Sequence, residues 1–315
     1  MQQYRVIYHL RSAVASQWQS DTIFGHLCWA LRYLDGENAL DHFLDGYRMG
    51  DPPIILSNGF PGDLLPHPVS ISPLRIEAAS LSNQIKVFAE MKDTRRINFL
   101  SLNEFNRVIN GMQVLPTMAN AMPKTHVTLK NQINRLTGST SGEGGNVFEF
   151  EQTFWAEDKG SFIEHIPVSI YLKIRDGFEK KAERLFEFIA QQGYGKRKSV
   201  GYGGIQSMEF GKFDGFESPP DPNAFVTLSN FTPAMKDPTR GFWRLITKYG
   251  KLGEEYANTE NPFKRPLLMF SAGSVFYDKN PGDCYGRLVE EVSPVSGVVQ
   301  YAFAYAVPMV ARNNK

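Results

Sequence analysis

The chain opens with an alternation of apolar and polar positions that predicts a strand, followed by a helix. Every second residue across 4–10 is apolar or aromatic, which is the period of a strand. After the loop SAVASQWQ, apolar residues recur at helical spacing across 23–34. Ser20 or Asp21 can cap this helix, and Gly36 follows as a stop signal.

A second strand and helix follow later in the chain. Residues 166–174 alternate in the same way, and Asp176-Gly177 then breaks the strand. Residues 179–192 place their apolar side chains on one stripe of a helix. The stretch GYGKRKSVGYGG, residues 193–204, comes directly after that helix, and residues 205–210 resume as a strand. With the opening strand and helix, this succession gives the split βαβ order of a ferredoxin-like domain.

A second domain is predicted beyond a proline-rich segment. FESPPDPN, residues 216–223, has three prolines in eight residues and is typical of a linker. Beyond it, AFVTLSNF, PLLMFSAGSVF and the alternating residues 299–307 predict strands, and DPTRGFWRLITKYG predicts a helix.

The fold class is therefore predicted as α+β, with two ferredoxin-like domains. Residues 1–215 form the first domain, and residues 222–315 form the second, smaller one. Residues 52–160 are poorly patterned, and we expect insertions there that reach out from the first sheet.

Composition narrows the class of protein. Apolar residues make up 42% of the 315 positions, which is enough for packed cores. No apolar run approaches the roughly 18 residues of a membrane span, and the start MQQYRVIYHLRSAV lacks the pattern of a signal peptide. We therefore expect a cytoplasmic protein. The two cysteines lie far apart and the six histidines are never three or four residues apart, so we predict no metal site and no cofactor.

Charge is balanced globally, with 34 basic and 33 acidic residues, but it is unevenly distributed. Residues 105–142 contain no Asp or Glu and include four basic side chains. A second basic stretch runs from Arg184 to Lys198, with Glu187 as its one acid. Such segments favour a phosphate backbone, because Lys and Arg release its counterions. The alternative interpretation of these basic segments is a solvated protein surface that binds no nucleic acid.

The glycine-rich stretch at residues 193–204 does not fit the common nucleotide motifs. Both the phosphate-loop signature and the dinucleotide fingerprint follow a strand and precede a helix, whereas this stretch follows a helix and precedes a strand. Residues 201–205, GYGGI, approach an RNA-recognition signature. Val200 replaces its basic residue, however, and Gly204 and Ser207 replace its stacking aromatics. A backbone rich in amide donors beside three cations still suits a sugar-phosphate chain. A helix C-cap followed by a tight turn is the alternative.

Four stretches together resemble a known family. G-x-G-K-R-K-S-x-G-x-G-G between a helix and a strand resembles the glycine-rich loop of the RAMP superfamily, the RNA-binding proteins of CRISPR systems. SDTIFGHLCWAL (20–31), KTHVTLKNQINRLTGST (124–140) followed by NVFEFEQTFW, and FSAGSVF (270–276) narrow the resemblance. In their order, they resemble the Csm-type RAMP subunit of type III-A CRISPR effector complexes, which caps the 5′ end of the guide RNA.

The resemblance implies a noncatalytic RNA-binding subunit of an antiviral defence complex. Such a subunit holds the repeat-derived 5′ tag of the CRISPR RNA. It contacts the large polymerase and nuclease subunit on one side and a neighbouring backbone RAMP subunit on the other, with target RNA nearby. It also implies that residues 124–140 belong to a thumb, a hairpin inserted in the first domain that meets the guide RNA. A surface hairpin with scattered polar residues is the alternative.

The residues expected to contact RNA lie at the start of the first helix, in the thumb and in the glycine-rich loop. They are Ser20, Lys124, His126, Lys130, Asn131, Asn134, Arg135, Gly193, Tyr194, Gly195, Lys196, Arg197, Lys198, Ser199, Gly201, Tyr202 and Gly203. Loop amides and the Lys-Arg-Lys triplet would bind phosphates. Tyr194 or Tyr202 could stack on a splayed base, which is worth about 1–3 kcal/mol.

A metal-independent endoribonuclease that processes CRISPR precursor RNA is the alternative function. Related RAMP proteins cut RNA with the 2′-hydroxyl as nucleophile, and His26 on the first helix is the candidate acid or base. His9 could take part only if the two side chains converge. A metabolic enzyme is a third possible function, but the sequence offers no paired carboxylates and no nucleophile constellation for it. Asp21, at the helix start, is best interpreted as a capping residue.

Overall fold

The computed structural model describes residues 1–69, 97–114, 116–117, 122–140, 146–160 and 163–311. The α-helices of these residues are α1 (Ser20–Asp35), α2 (Glu37–Arg48), α3 (Leu102–Ile109) and α4 (Glu179–Gln192). Their strands are β1 (Gln2–Leu10), β2 (Ile54–Pro61), β3 (Leu65–Pro66), β4 (Phe99–Leu100), β5 (Lys124–Gln132), β6 (Asn146–Phe154), β7 (Ala156–Asp158), β8 (Ile163–His165), β9 (Val168–Ile174), β10 (Ile205–Lys212), β11 (Ala224–Thr227), β12 (Gly241–Phe242), β13 (Leu245–Lys248), β14 (Leu267–Phe270), β15 (Val275–Tyr277), β16 (Cys284–Val289) and β17 (Gln300–Met309). None of the helices described is long and apolar enough to cross a membrane.

The first sheet contains four strands in the order β10-β1-β9-β2, and every neighbouring pair is antiparallel. The alternating side chains of β1 bury one face against α1, α2 and α4. The predicted strands at 4–10 and 205–210 and the predicted helices at 23–34 and 179–192 are confirmed. The capping prediction for α1 is wrong, because Gln19 is the N-cap residue and no side chain caps the helix. Asp21 instead pairs with Lys248, with 2.9 Å between the carboxylate Oδ2 and Nζ.

Strand β9 is buried on both faces. Ile170 and Leu172 pack against the helices, whereas Tyr171 packs on the opposite face with Ile55 and with residues from the second half of the chain. Even the Lys173 side chain is buried there, and its Nζ lies 2.6 Å from Asp283 Oδ1. The polar positions of this strand are therefore covered by the second half rather than by solvent.

The second half forms a five-stranded antiparallel sheet in the order β12-β15-β11-β17-β16. The helix predicted over 237–250 is wrong, since those residues form β12 and β13, which pair with β15 and β14. Gly241 fits against β15 because it has no side chain: an added Cβ would lie 2.0 Å from the Val275 carbonyl oxygen. The strand predicted over 266–276 is two strands, β14 and β15, separated by a turn at Gly273 (φ +87°). From residue 213 to 311 the chain contains no α-helix, so this half lacks the two helices of a ferredoxin-like unit.

The two halves share their cores. Tyr301 of β17 stacks on Phe24 of α1 at 4.8 Å, and its hydroxyl accepts a hydrogen bond from the Leu56 amide at 2.9 Å. Phe216, in the segment predicted as a linker, is buried between Tyr171 and Tyr305. The segment between β10 and β11 is therefore packed, and the division into residues 1–215 and 222–315 stays a prediction.

Strands β5 and β6 form a hairpin in the region where insertions are predicted. They pair over nine positions, from Lys124 opposite Phe154 to Gln132 opposite Asn146. Most described side chains of β5 are exposed. Residues 70–96, 115, 118–121 and 141–145 of the same region lie outside the described part of the chain.

Candidate nucleic-acid interface

The glycine-rich loop is built from left-handed backbone positions directly after α4. Gly193, Gly195, Arg197, Gly201 and Gly203 all have positive φ, between +63° and +93°. Glycine takes this conformation without the steric penalty that other residues have. The Tyr194 amide donates to the Gly203 carbonyl at 2.8 Å, so the loop closes on itself.

Two of these glycines are required by close contacts as well as by φ. A Cβ on Gly203 would lie 1.9 Å from the Tyr194 carbonyl oxygen, and one on Gly195 would lie 2.6 Å from the Cβ of Ser16. Gly201, in contrast, has nothing within 4 Å of such a Cβ. The loop is therefore tightly packed at Gly195 and Gly203, whereas its backbone at Gly201 faces open space.

Most amides of the loop are used inside the protein, which corrects the expectation of many free donors. The Gly203 amide donates to the Ala13 carbonyl at 2.8 Å, and the Lys196 amide donates to Ser16 Oγ at 3.0 Å. Within the described residues, the amides of Arg197, Lys198 and Ser199 have no hydrogen-bond acceptor. Any backbone contact to a ligand is thus restricted to this short outer turn.

Two predicted RNA-binding side chains are buried. Tyr194 stacks on Trp18 at a centroid distance of 3.6 Å, and its hydroxyl donates to the Gln17 carbonyl at 2.7 Å. Burial raises the pKa of the Tyr194 hydroxyl well above its usual value. The ring therefore fastens the loop to the chain before α1 and presents no face to a base. Ser20 is also fully buried, so its predicted contact with RNA is not available.

His26 supports the loop from α1. Its Nε2 accepts a hydrogen bond from the Gly195 amide at 3.0 Å. Burial, reinforced by the Lys198 ammonium, lowers the pKa of His26 to about 3. The imidazole is consequently neutral near pH 7, and the Nε2 lone pair is already used. His9 bonds Glu209 at 2.9 Å from the sheet face opposite the helices, so the two histidines do not converge.

The hairpin meets the loop through one of its faces. Lys130 Nζ donates to the Tyr202 hydroxyl at 2.9 Å, and that hydroxyl donates to Gln152 Oε1 at 3.0 Å. The Tyr202 ring lies edge-on to Phe150, with 5.1 Å between the centroids. The Arg197 guanidinium lies 4.5 Å from the centroid of the same Phe150 ring. Lys130 and Arg197, which belong to the two basic stretches and are 67 positions apart in sequence, thus converge on one surface.

This loop–hairpin surface consists of side chains from one face of the hairpin and from the loop, namely Lys124, His126, Lys130, Phe148, Phe150, Arg197 and Tyr202, and we include the exposed Lys196 because it directly precedes Arg197. Asn131 lies on the opposite hairpin face, beside the exposed Leu129 and Val147. Asn134 and Arg135 lie at the tip, where the Asn134 amide donates to the Ser139 carbonyl at 3.0 Å.

The surface is positively charged, because its cations are largely unpaired. Among the described residues, Lys130, Lys196 and Arg197 have no acidic partner within ion-pair distance. Lys198 differs from them, since it pairs with Glu254 of the second half. In the described part of the chain, no three His, Cys, Asp or Glu side chains come together as metal ligands would.

Several residues of the surface were not identified from sequence. Phe148, Phe150 and Gln152 alternate along NVFEFEQTFW, and that period of two could have placed them on one face. Nothing in the sequence connects Ser16 or Glu254 with the loop, because both reach it only through the tertiary fold.

Solved structures with the same fold come from CRISPR complexes. The chain matches a component of a Csm1-Csm4 cassette in complex with pppApA at 17% identity and a TM-score of 0.62, covering 99% of this chain and 100% of that one. A cassette with cA4 gives 16% identity, a TM-score of 0.63 and the same coverage. A Csm3-Csm4 subcomplex of a type III-A CRISPR-Cas interference complex gives 14% identity and a TM-score of 0.62, covering 98% and 100%.

No family model matches the sequence, and no curated protein is similar to it. The likeness to the solved chains is one of fold. Csm4 is the component that those assemblies share, so the resemblance to the Csm-type RAMP subunit is confirmed at the level of the fold.

Proposed function

We propose that this chain is the Csm4-like, noncatalytic subunit of a type III-A CRISPR effector complex, and that it binds the 5′ tag of the CRISPR RNA. The observation that carries the proposal is the convergence of the glycine-rich loop and the basic, aromatic face of the hairpin on one surface. The match in fold over 99% of the chain supports the same assignment.

Phosphates are the expected ligands of the unpaired cations. Lys196 and Arg197 project from the loop and Lys130 from the hairpin, so they can bind successive phosphates and release counterions. The amides of residues 197–199 can donate to a phosphate oxygen as well. Tyr202, the remaining predicted candidate for stacking on a base, is partly exposed, and the partly exposed Phe148 is a second candidate.

The fold supports a finer assignment of its parts. The element order strand-helix-strand-strand-helix-strand and the sheet order β10-β1-β9-β2 favour a ferredoxin-like first domain, residues 1–215. The β5–β6 hairpin, inserted between β4 and β9, would then be the thumb. Residues 222–315 would form the second domain. We expect a cytoplasmic complex, as for an antiviral defence system.

The protein partners follow from the assemblies of similar fold. Those assemblies pair Csm4 with Csm1 and with Csm3. We therefore expect one contact with a large Csm1-like polymerase and nuclease subunit, and another with a Csm3-like backbone RAMP subunit beside the target RNA.

The geometry does not favour the alternative of a processing nuclease. A general acid or base works best with a pKa near the operating pH, whereas the pKa of His26 is lowered to about 3 and its Nε2 accepts the Gly195 amide. His26 therefore serves the loop as a structural acceptor.

A salt series of binding measurements tests the proposal. Affinity for an RNA that carries a repeat-derived 5′ tag is measured for the wild type, for Lys196→Ala/Arg197→Ala and for Lys212→Ala/Lys236→Ala, an exposed control pair away from the loop. Each lost phosphate contact should flatten the plot of log affinity against log salt by about 0.7. We expect a flatter salt-dependence slope only in the variant Lys196→Ala/Arg197→Ala. Equal slopes in all three proteins would show that the loop does not bind the RNA.

A further inference from the structure

A pocket lies beside the glycine-rich loop, with Lys198 of the loop in its lining. It has a volume of about 300 Å³ and lies between α1 and α4. Its aromatic lining is Trp29, Tyr33 and Phe188, and its polar lining includes Gln192, Lys198 and Glu254. Of these residues only Lys198 belongs to the glycine-rich loop, and none belongs to the loop–hairpin surface described above.

The aromatic rings line the pocket as a continuous wall. Trp29 and Tyr33 stack with 5.6 Å between centroids and 28° between planes, and Tyr33 lies 6.1 Å from Phe188. Tyr33 remains 49% exposed, although aromatic side chains usually gain by burial. The Arg32 guanidinium lies 5.2 Å from the centroid of the Trp29 ring and forms an ion pair with Glu37. These contacts restrict the movement of the Trp29 side chain. Exposed, braced aromatic faces are suited to stacking on a planar ligand.

The charge of the polar lining suits an uncharged ligand. Lys198 and Glu254 form an ion pair with each other, so their charges offset one another. Within the described residues the Gln192 side chain has no hydrogen-bond partner, and its amide offers both a donor and an acceptor. A phosphate would meet the Glu254 carboxylate here, whereas a base edge would meet complementary donors and acceptors.

The pocket and the loop–hairpin surface are joined through the loop. Lys198 lines the pocket, while Lys196 and Arg197, two residues and one residue earlier, are exposed cations without an acidic partner among the described residues. His26, which also lines the pocket, accepts the Gly195 amide. A strand whose phosphates lie on Lys196 and Arg197 therefore passes close to the aromatic pocket.

We infer that this pocket binds one unpaired nucleobase of the RNA whose phosphates are bound by the loop. The inference rests on the proposed function and adds a specific subsite to it: aromatic stacking by Trp29 and Tyr33, with the base edge read by Gln192 and the Lys198–Glu254 pair. A base taken out of its strand in this way fixes the register of the RNA on the protein.

An abasic scan tests the inference. The 5′-tagged RNA is prepared with a single abasic nucleotide at each tag position in turn, and its affinity is measured for wild type, Trp29→Ala and Trp29→Phe. In the wild type we expect one position at which loss of the base weakens binding about tenfold or more, as for the loss of one stacked base. Trp29→Ala should weaken the intact RNA to the same degree and abolish the effect of that abasic position. Trp29→Phe, which keeps an aromatic face, should retain most of it.

The other outcomes are distinguishable. If tagged RNA binds but every abasic position has the same effect in wild type and in Trp29→Ala, the inference is wrong while the proposed function stands. If RNA affinity is unchanged but Trp29→Ala loses a protein subunit of the complex, the pocket belongs to a protein contact and the inference is again wrong. If the wild type binds no tagged RNA, both proposals fall. Equal thermal melting of the three proteins confirms that each is folded.

Discussion

Gly203→Ala should collapse the glycine-rich loop, whereas Gly201→Ala, two residues earlier, should not. Both residues have positive φ, +66° and +93°, so alanine at either position costs about 1–2 kcal/mol of backbone strain. At Gly203 the new Cβ would also lie 1.9 Å from the Tyr194 carbonyl oxygen and 2.9 Å from its carbonyl carbon. At Gly201 it would meet nothing within 4 Å.

The loss of stability in Gly203→Ala can be worked out from the backbone atoms that the new Cβ would displace. Relieving the contact displaces backbone, which costs about 1–3 kcal/mol beyond the strain. It also breaks the hydrogen bonds from Tyr194 to Gly203 and from Gly203 to Ala13, each 2.8 Å long and worth about 1 kcal/mol. Gly203→Ala should therefore destabilise by about 4–7 kcal/mol, against about 1–2 kcal/mol for Gly201→Ala.

Chemical denaturation of both variants, with RNA affinity measured in parallel, provides the assay. Gly203→Ala should lower the unfolding midpoint further and lose most of its affinity for tagged RNA, while Gly201→Ala should bind nearly as the wild type does. Equal midpoints and equal affinities for the two variants would refute the account of how the loop is held.

Three further predictions concern the residues that support the site. Asp21→Ala should lower the unfolding free energy by about 3–5 kcal/mol in a denaturation experiment, because the partly buried Lys248 loses its anionic partner and Gln300 loses the acceptor of its amide. The exposed pair of Asp45 and Arg48 is the control, and Asp45→Ala should cost less than about 1 kcal/mol. His26→Gln should remove a pH dependence of the unfolding free energy. The His26 imidazole takes up a proton below about pH 6.5 in the unfolded wild type, but only near pH 3 in the folded state. The stability of the wild type should therefore fall on acidification below about pH 6.5, by at most about 1.4 kcal/mol per pH unit. A gap between wild type and His26→Gln that stays constant from pH 7 to pH 5 would contradict the lowered pKa. Tyr202→Phe should loosen the hairpin by removing the bonds to Lys130 and Gln152, at about 1 kcal/mol each, seen as faster amide exchange in β5 and β6 with unchanged exchange in β9.

The first half of the fold could be predicted from sequence because its periodicity is local. The alternation of residues 4–10 and the helical stripe of 179–192 each reflect one buried face. The sequence did not predict that both faces of β9 are buried, because Tyr171 and Lys173 are covered by the second half of the chain. It was wrong at residues 237–250, where pairing with β14 and β15 overrides a helical reading of FWRLITKYG.

The candidate site shows the same limit. The basic composition of the loop and of residues 124–140 identified both segments, and the structure brings them together. Sequence could not distinguish Tyr194 from Tyr202, two tyrosines in similar glycine contexts. The first is buried on Trp18, and the second meets the hairpin, because the chain at residues 11–18 packs under only one side of the loop. Nor could it show that four loop amides donate to residues 12–16 and His26.

One gel experiment tests the central claim most directly. The purified chain is incubated in EDTA with end-labelled RNA that carries a repeat-derived 5′ tag, and the sample is resolved under native and under denaturing conditions. We predict a shifted RNA that stays intact and a shift that is lost in Lys196→Ala/Arg197→Ala. An unshifted RNA at low salt, or a shortened RNA whose cleavage His26→Ala abolishes, would contradict the account.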